Sequence, residues 1–141
     1  MSLKPVRTFI KTRLSETNSS FKEHKDGFNR DNIPRSLLNK SYFIDIVSSD
    51  NESTEGRVVT DEIVARVEVF YKGFRNTQSA IDNALDEINN FKLRASNPSN
   101  FTSTIKRAVC ESIEVEQLNE SNDNSFILTI NMSVTACFAV I

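Results

Sequence analysis

At 141 residues, with 38% hydrophobic and 26% charged side chains, the chain has the length and apolar content of one domain around one core, which excludes a disordered tail. No run approaches the roughly 20 consecutive apolar residues of a membrane-spanning helix. The opening Met1-Ser2-Leu3-Lys4-Pro5-Val6-Arg7 lacks the apolar stretch of a secretory leader, so no membrane association and residence in the cytoplasm are expected.

The first element is an amphipathic helix within residues 1–20. Val6, Phe9, Ile10 and Leu14 recur at three- and four-residue spacings, Lys4, Arg7, Lys11 and Arg13 lie mostly between them, and Pro5 suits a first turn. Residues 1–40 hold nine Lys or Arg against four Asp or Glu, whereas residues 41–141 hold eight against fifteen, within a net charge of −2. A basic start of this kind can be a solvated helix face, dock on the acidic body of the same or a neighbouring subunit, or meet nucleic acid, and composition leaves these open. Residues 21–40 read as a long polar loop with Phe21, Phe28 and Ile33 as its apolar anchors, and a loop of that length is a candidate contact segment.

Tyr42, Ile44 and Ile46 alternate with Phe43, Asp45 and Val47 as a strand, which the polar run Ser48 to Gly56 is expected to end. Ile63, Ala65, Val67, Val69 and Tyr71 share one face of a second strand, predicted to pair with the first as an antiparallel hairpin. Gly73 breaks this alternation. Asn76 or Thr77 can then cap a helix over residues 76–95, with Ile81, Ala84, Leu85, Ile88 and Phe91 on its apolar stripe. Asn97-Pro98-Ser99-Asn100 is a turn, and Ile105 to Leu118 a less regular strand with Ile113 and Val115 facing one way and Glu114 and Glu116 the other. After a polar turn at residues 119–124, Phe126, Leu128, Ile130, Met132, Val134, Ala136, Phe138 and Val140 occupy every second position of the strongest strand in the chain. Most of that run would reach roughly 45 Å, against about 17–20 Å for an ordinary strand. Either it bends round the sheet, or its end, Cys137 to Ile141, packs where a lone monomer would expose it. The expected fold is α+β: one domain over residues 1–141, with a mostly antiparallel four-stranded sheet in the order α-β-β-α-β-β and the helices packed on it.

The residue sets that chemistry needs do not assemble on paper. His24 is the only histidine and sits in the charged segment Phe21-Lys22-Glu23-His24-Lys25-Asp26, where a solvated loop residue is the expectation. Three glycines cannot write a dinucleotide fingerprint or a phosphate-cradling loop, and the serine nucleophile elbow is absent. Cys110 and Cys137 lie alone in apolar segments and read as small buried hydrophobes. The expectation is therefore a non-enzymatic chain with no catalytic residues, no cofactor and no bound metal.

Asn32-Ile33-Pro34-Arg35-Ser36 ahead of Tyr42-Phe43-Ile44-Asp45-Ile46, and Val67-Glu68-Val69-Phe70-Tyr71-Lys72-Gly73-Phe74-Arg75 leading into a helix with Ala80-Ile81-Asp82, resemble the tail terminator (tail completion, minor tail) proteins of tailed bacteriophages. The resemblance covers residues 30–141 and is one of pattern. It implies a ring, usually a hexamer, that sits on the last ring of tail-tube protein, stops polymerisation and offers a surface to the head-tail connector protein. DNA would pass through the lumen without sequence-specific binding. The location implied is the head-proximal end of the virion tail, after assembly in the host cytoplasm. A closed ring needs two different patches per subunit. The expected contributors are Arg57, Arg66, Glu68, Glu114 and Glu116, from the outward face of the hairpins and the 48–57 loop, with Phe138, Val140 and Ile141 from the apolar end. A tail-tube or connector subunit shares this assembly logic, a small α+β ligand-binding module shares the two-layer architecture, and a hydrolase is the remaining alternative.

Overall fold

A computed structural model describes residues 3–28, 37–72, 77–118 and 125–139. The elements are helix α1 (Lys4–Thr17), strand β1 (Lys22–Glu23), strands β2 (Ser41–Glu55) and β3 (Val58–Tyr71), helix α2 (Thr77–Ser96), a single 3-10 turn (Pro98–Asn100), and strands β4 (Ile105–Gln117) and β5 (Phe126–Ala139). They form an α+β fold with one mixed five-stranded sheet in the order β1-β2-β3-β5-β4.

The two longest alternating runs became the two central strands. Residues buried on both sides by neighbouring strands and on one face by helices must be apolar at every second position. Ile63, Ala65, Val67, Val69 and Tyr71 of β3 lie opposite Val134, Met132, Ile130, Leu128 and Phe126 of β5, and all ten are buried. Against them α1 places Val6, Phe9, Ile10 and Leu14, and α2 places Ala84, Ile88, Phe91 and Ala95. Full burial of each large side chain is worth about 1.5–3 kcal/mol. The rings of Tyr71 and Phe126 stack at 5.3 Å, closing one end of this core.

Two expectations need correction. The sheet has a fifth strand, because β1 forms inside the segment read as polar loop and pairs parallel to β2, Lys22 opposite Ser41 and Glu23 opposite Tyr42. Phe21, buried in the core just before it, fixes the chain beside that edge, after which two residues of ladder follow from proximity and leave no hydropathy signature. The polar run after Ile46 is also strand, not loop. Residues as hydrophilic as Asp50, Asn51 and Glu52 continue β2 to Glu55, and the turn is only Gly56-Arg57, with Gly56 at φ +59° as a tight hairpin requires. The β2–β3 ladder stabilises this stretch through backbone hydrogen bonds, which polar side chains supply as well as apolar ones.

The crossing from helix face to sheet face is held by one carboxylate. Glu87 of α2 accepts from Tyr71 Oη (2.9 Å) and Asn18 Nδ2 (2.8 Å) and pairs with Lys40 Nζ (2.9 Å), whose ammonium also lies 5.8 Å from the centre of the Phe21 ring. Lys40 takes a left-handed backbone, φ +68°, while its N–H donates to Phe70 O and its carbonyl accepts from Lys22 N. Burial, then the neighbouring Glu87 charge and hydrogen bond, push the Tyr71 phenol far above its ordinary 10.0. Burial, then Glu23, raise that of Tyr42. Because the folded state holds these protons more tightly than the unfolded one, their stabilisation is complete below pH 10 and lost as pH rises beyond it. These are the only two tyrosines. In an alkaline titration, tyrosinate absorbance is expected to appear together with loss of the far-ultraviolet signal, and Tyr71→Phe should flatten the decline in stability above pH 10.

Candidate assembly surface

The described helices cover one face of the sheet. Strand alternation sends the remaining side chains to the other, and the register aligns them in rows. Asp50, Glu62, Thr135 and Arg107 form one row; Ser48, Val64, Ser133 and Val109 the next; then Asp45, Arg66, Asn131 and Ser112; then Phe43, Glu68, Thr129 and Glu114. Short hydrogen bonds tie neighbours on this face, Ser133 Oγ to Glu62 Oε1 (2.7 Å) and Asn131 Nδ2 to Ser112 Oγ (2.9 Å). At one end the face turns apolar. Phe70 and Ile127 are covered by Phe28 and Leu37, with Phe43 and Leu118 half-buried beside them, so the chain after β1 passes round the β2 edge onto this side. Phe28 and Leu37 thus act as anchors within the 21–40 segment, while Ile33 lies outside the described residues.

Four of the expected interface residues meet here. Arg66, Glu68, Glu114 and Glu116, with Thr129 and Val115, line an open depression of about 640 Å³ beside the apolar end. Its walls carry three carboxylates and one guanidinium, an arrangement suited to pairing with a surface of opposite charge and lacking a convergent donor set for a small ligand. Arg57 stands apart at the tip of the β2–β3 hairpin, roughly 30 Å along the strand from Arg66 at ~3.4 Å per residue. Phe138 faces the helix side, half-buried against its own core. Val140 and Ile141 lie outside the described residues.

No protein-family model matches the chain, and a search of curated proteins gave no match.

Alternation places Asp45 and Glu62 on the outward face, as the structure does, although neither is among the expected interface residues, whereas it misses Asp50 and Arg107. For Glu62 the signal was present, since it shares the phase of Arg66 and Glu68. For Arg107 it was not. Bulges at Lys106 and Glu111 each reverse the inside–outside phase of β4, so Ile105, then Ala108 and Cys110, then Ile113 point to the core, and Arg107 falls on the open face.

The remaining chemical candidates have local roles. His24 is half-buried in the loop after β1: its ring packs 5.6 Å from Phe28 and Nδ1 lies 2.7 Å from Asp26 O in a contact that water still reaches. Cys110 is buried, and burial pushes its thiol up to about 11 against the opposing charge of Lys92, which makes it a poor nucleophile. Cys137 is half-buried on the open face, 3.4 Å from Thr60 Oγ1. Among the described residues no three His, Cys, Asp or Glu side chains gather as a metal site, and no helix is long and apolar enough to cross a membrane.

Proposed function

We propose that this chain is a virion structural protein that forms a ring, a hexamer, on the end of a bacteriophage tail tube, stops its polymerisation and joins tail to head. The observation that carries the reading is the mismatch between its two layers. β2 has 15 residues and would extend about 50 Å, whereas α1 with 14 and α2 with 20 reach about 21 and 30 Å. Every residue from Ser49 to Val58 is exposed, although β3 is buried at Asp61 and Ile63 beside the start of this stretch. At this end β2 is the outer strand beside β3 and β5, which stay paired to Val58 and Ala139, and an open strand edge of this kind gains from a neighbouring subunit or tube. The charged open face and its depression give a second, different patch, which a head-to-tail ring requires. The resemblance of residues 30–141 to tail terminators supplies the identity of the assembly. DNA would cross the lumen without base-specific contact.

Light scattering with electron microscopy tests this. The purified protein is expected to form closed rings of one layer, alone or when mixed with tail tubes, and tubes grown in its presence should stop at capped ends. Protein that remains monomeric at high concentration and leaves tubes bare would overturn the reading, and long cylinders would make it a tube subunit instead.

A further inference from the structure

The sheet has two long flanks. β4 is the strand at one edge, and at the other edge β1 covers only Ser41 and Tyr42, so from Phe43 to Glu55 no described strand lies outside β2. Because each of the three intervening pairings is antiparallel, β2 and β4 run in opposite directions. A second copy set beside the first would therefore present its β2 to β4 in antiparallel orientation, the more stable kind of pairing.

The register fixes which residues would stand level. Asp50 lies in the same row as Arg107, and Glu52 and Lys106 sit at the bulges that flank the next row, Asn51 with Ile105. Near the opposite end of the sheet Lys22 of β1 shares a row, through Ser41, Phe70 and Ile127, with Glu116. All six of these charged residues are exposed. Between the two ends, Val47, a bulge residue 49% exposed, comes level with Val109. Charges on sheet edges ordinarily repel further strands. Here the edges carry opposite signs at matching levels at both ends, and the one like-charged level, Asp45 with Glu111, has Arg66 beside Asp45.

Resting on the ring reading above, we infer that β2 of one copy pairs with the first half of β4 of the next, Asp50 and Glu52 facing Lys106 and Arg107, so that the sheets run continuously round the ring. The contact is heterologous, and the twist between strands turns each copy relative to the last, the condition for closure.

Two paired charge reversals test it, with sedimentation velocity as the readout. Lys106→Glu with Arg107→Glu makes the β4 edge acidic; Asp50→Lys with Glu52→Lys makes the β2 edge basic. Each alone is expected to raise the protein concentration needed for assembly by about tenfold or more, with melting unchanged. Mixed one to one, they should assemble near the wild-type concentration, because each mutated edge then meets its complement in an alternating ring. Hydrogen exchange on the wild type, which needs no variant, should show new protection at residues 45–55 and 105–110 on assembly. A wild type that assembles without that protection, or variants that assemble like wild type or are not rescued by mixing, overturns edge pairing and leaves the ring standing. A wild type that never assembles, alone or beside tail tubes, overturns both.

Discussion

Phe70→Ala should lower stability by about 3–4 kcal/mol, the largest effect among the substitutions considered. Phe70 is 2% exposed although it points away from the main core, because Phe28 (6.2 Å between rings) and Leu37 close over it from the segment that rounds the β2 edge. Removing the ring leaves a cavity bounded on one side by a loop and on the other by Ile127. The loop can collapse only partly, since Lys40 is tied by its backbone to Phe70 and by its side chain to Glu87. Urea unfolding would measure the loss, and Phe70→Leu should keep most of the stability at a cost of about 1 kcal/mol. Hydrogen exchange at the Lys40 and Ser41 amides should accelerate in the Ala variant before global unfolding. If both variants melt like wild type, the second cluster contributes nothing and the 21–40 segment is held elsewhere.

Glu87→Ala is expected to cost about 2–3 kcal/mol, roughly 10 °C in melting temperature. The carboxylate joins four parts of the chain: the end of α1 through Asn18, the approach to β2 through Lys40, the end of β3 through Tyr71, and α2 itself. Alanine leaves an ammonium and a phenol facing each other without an acceptor. The Lys40 and Glu87 side chains retain 21% and 19% exposure, so water reaches the vacancy and holds the penalty below that of a fully dry pair. Glu87→Gln keeps an acceptor for Tyr71 and loses the charge, for which about 1 kcal/mol is expected. Equal losses in the two variants would show that the charge, and not the hydrogen-bond geometry, carries the effect. In Glu87→Ala the alkaline decline should also become shallower, because the Tyr71 phenol loses the neighbouring negative charge that raises it.

The hub shows why some of this molecule could be read from its residues and some could not. Glu87 sits between Ala84 and Ile88 on a helix whose apolar stripe is plain, but nothing local announces that Asn18, Lys40 and Tyr71 converge on it from 16 to 69 positions away. The charged face was partly legible. Arg66, Glu68, Glu114 and Glu116 follow once the apolar phase of their strands is known, and the register brings them to one depression. Arg107 escaped because bulges shift phase, Asp50 because its polar run gives no strand signal, and Arg57 stands far from the others because the hairpin is longer than its apolar pattern.

Hydropathy period by itself determined the α+β class, both helices, the buried faces of β3 and β5, and the direction of most charged side chains, since each depends only on which neighbours in the chain must leave water together. The tertiary structure decided the strand order, the two-residue strand β1, the extension of β2 to Glu55, the phase reversals of β4 and the convergence on Glu87. Those features rest on backbone hydrogen bonds and on charges meeting across space, and neither leaves a periodic trace in the sequence.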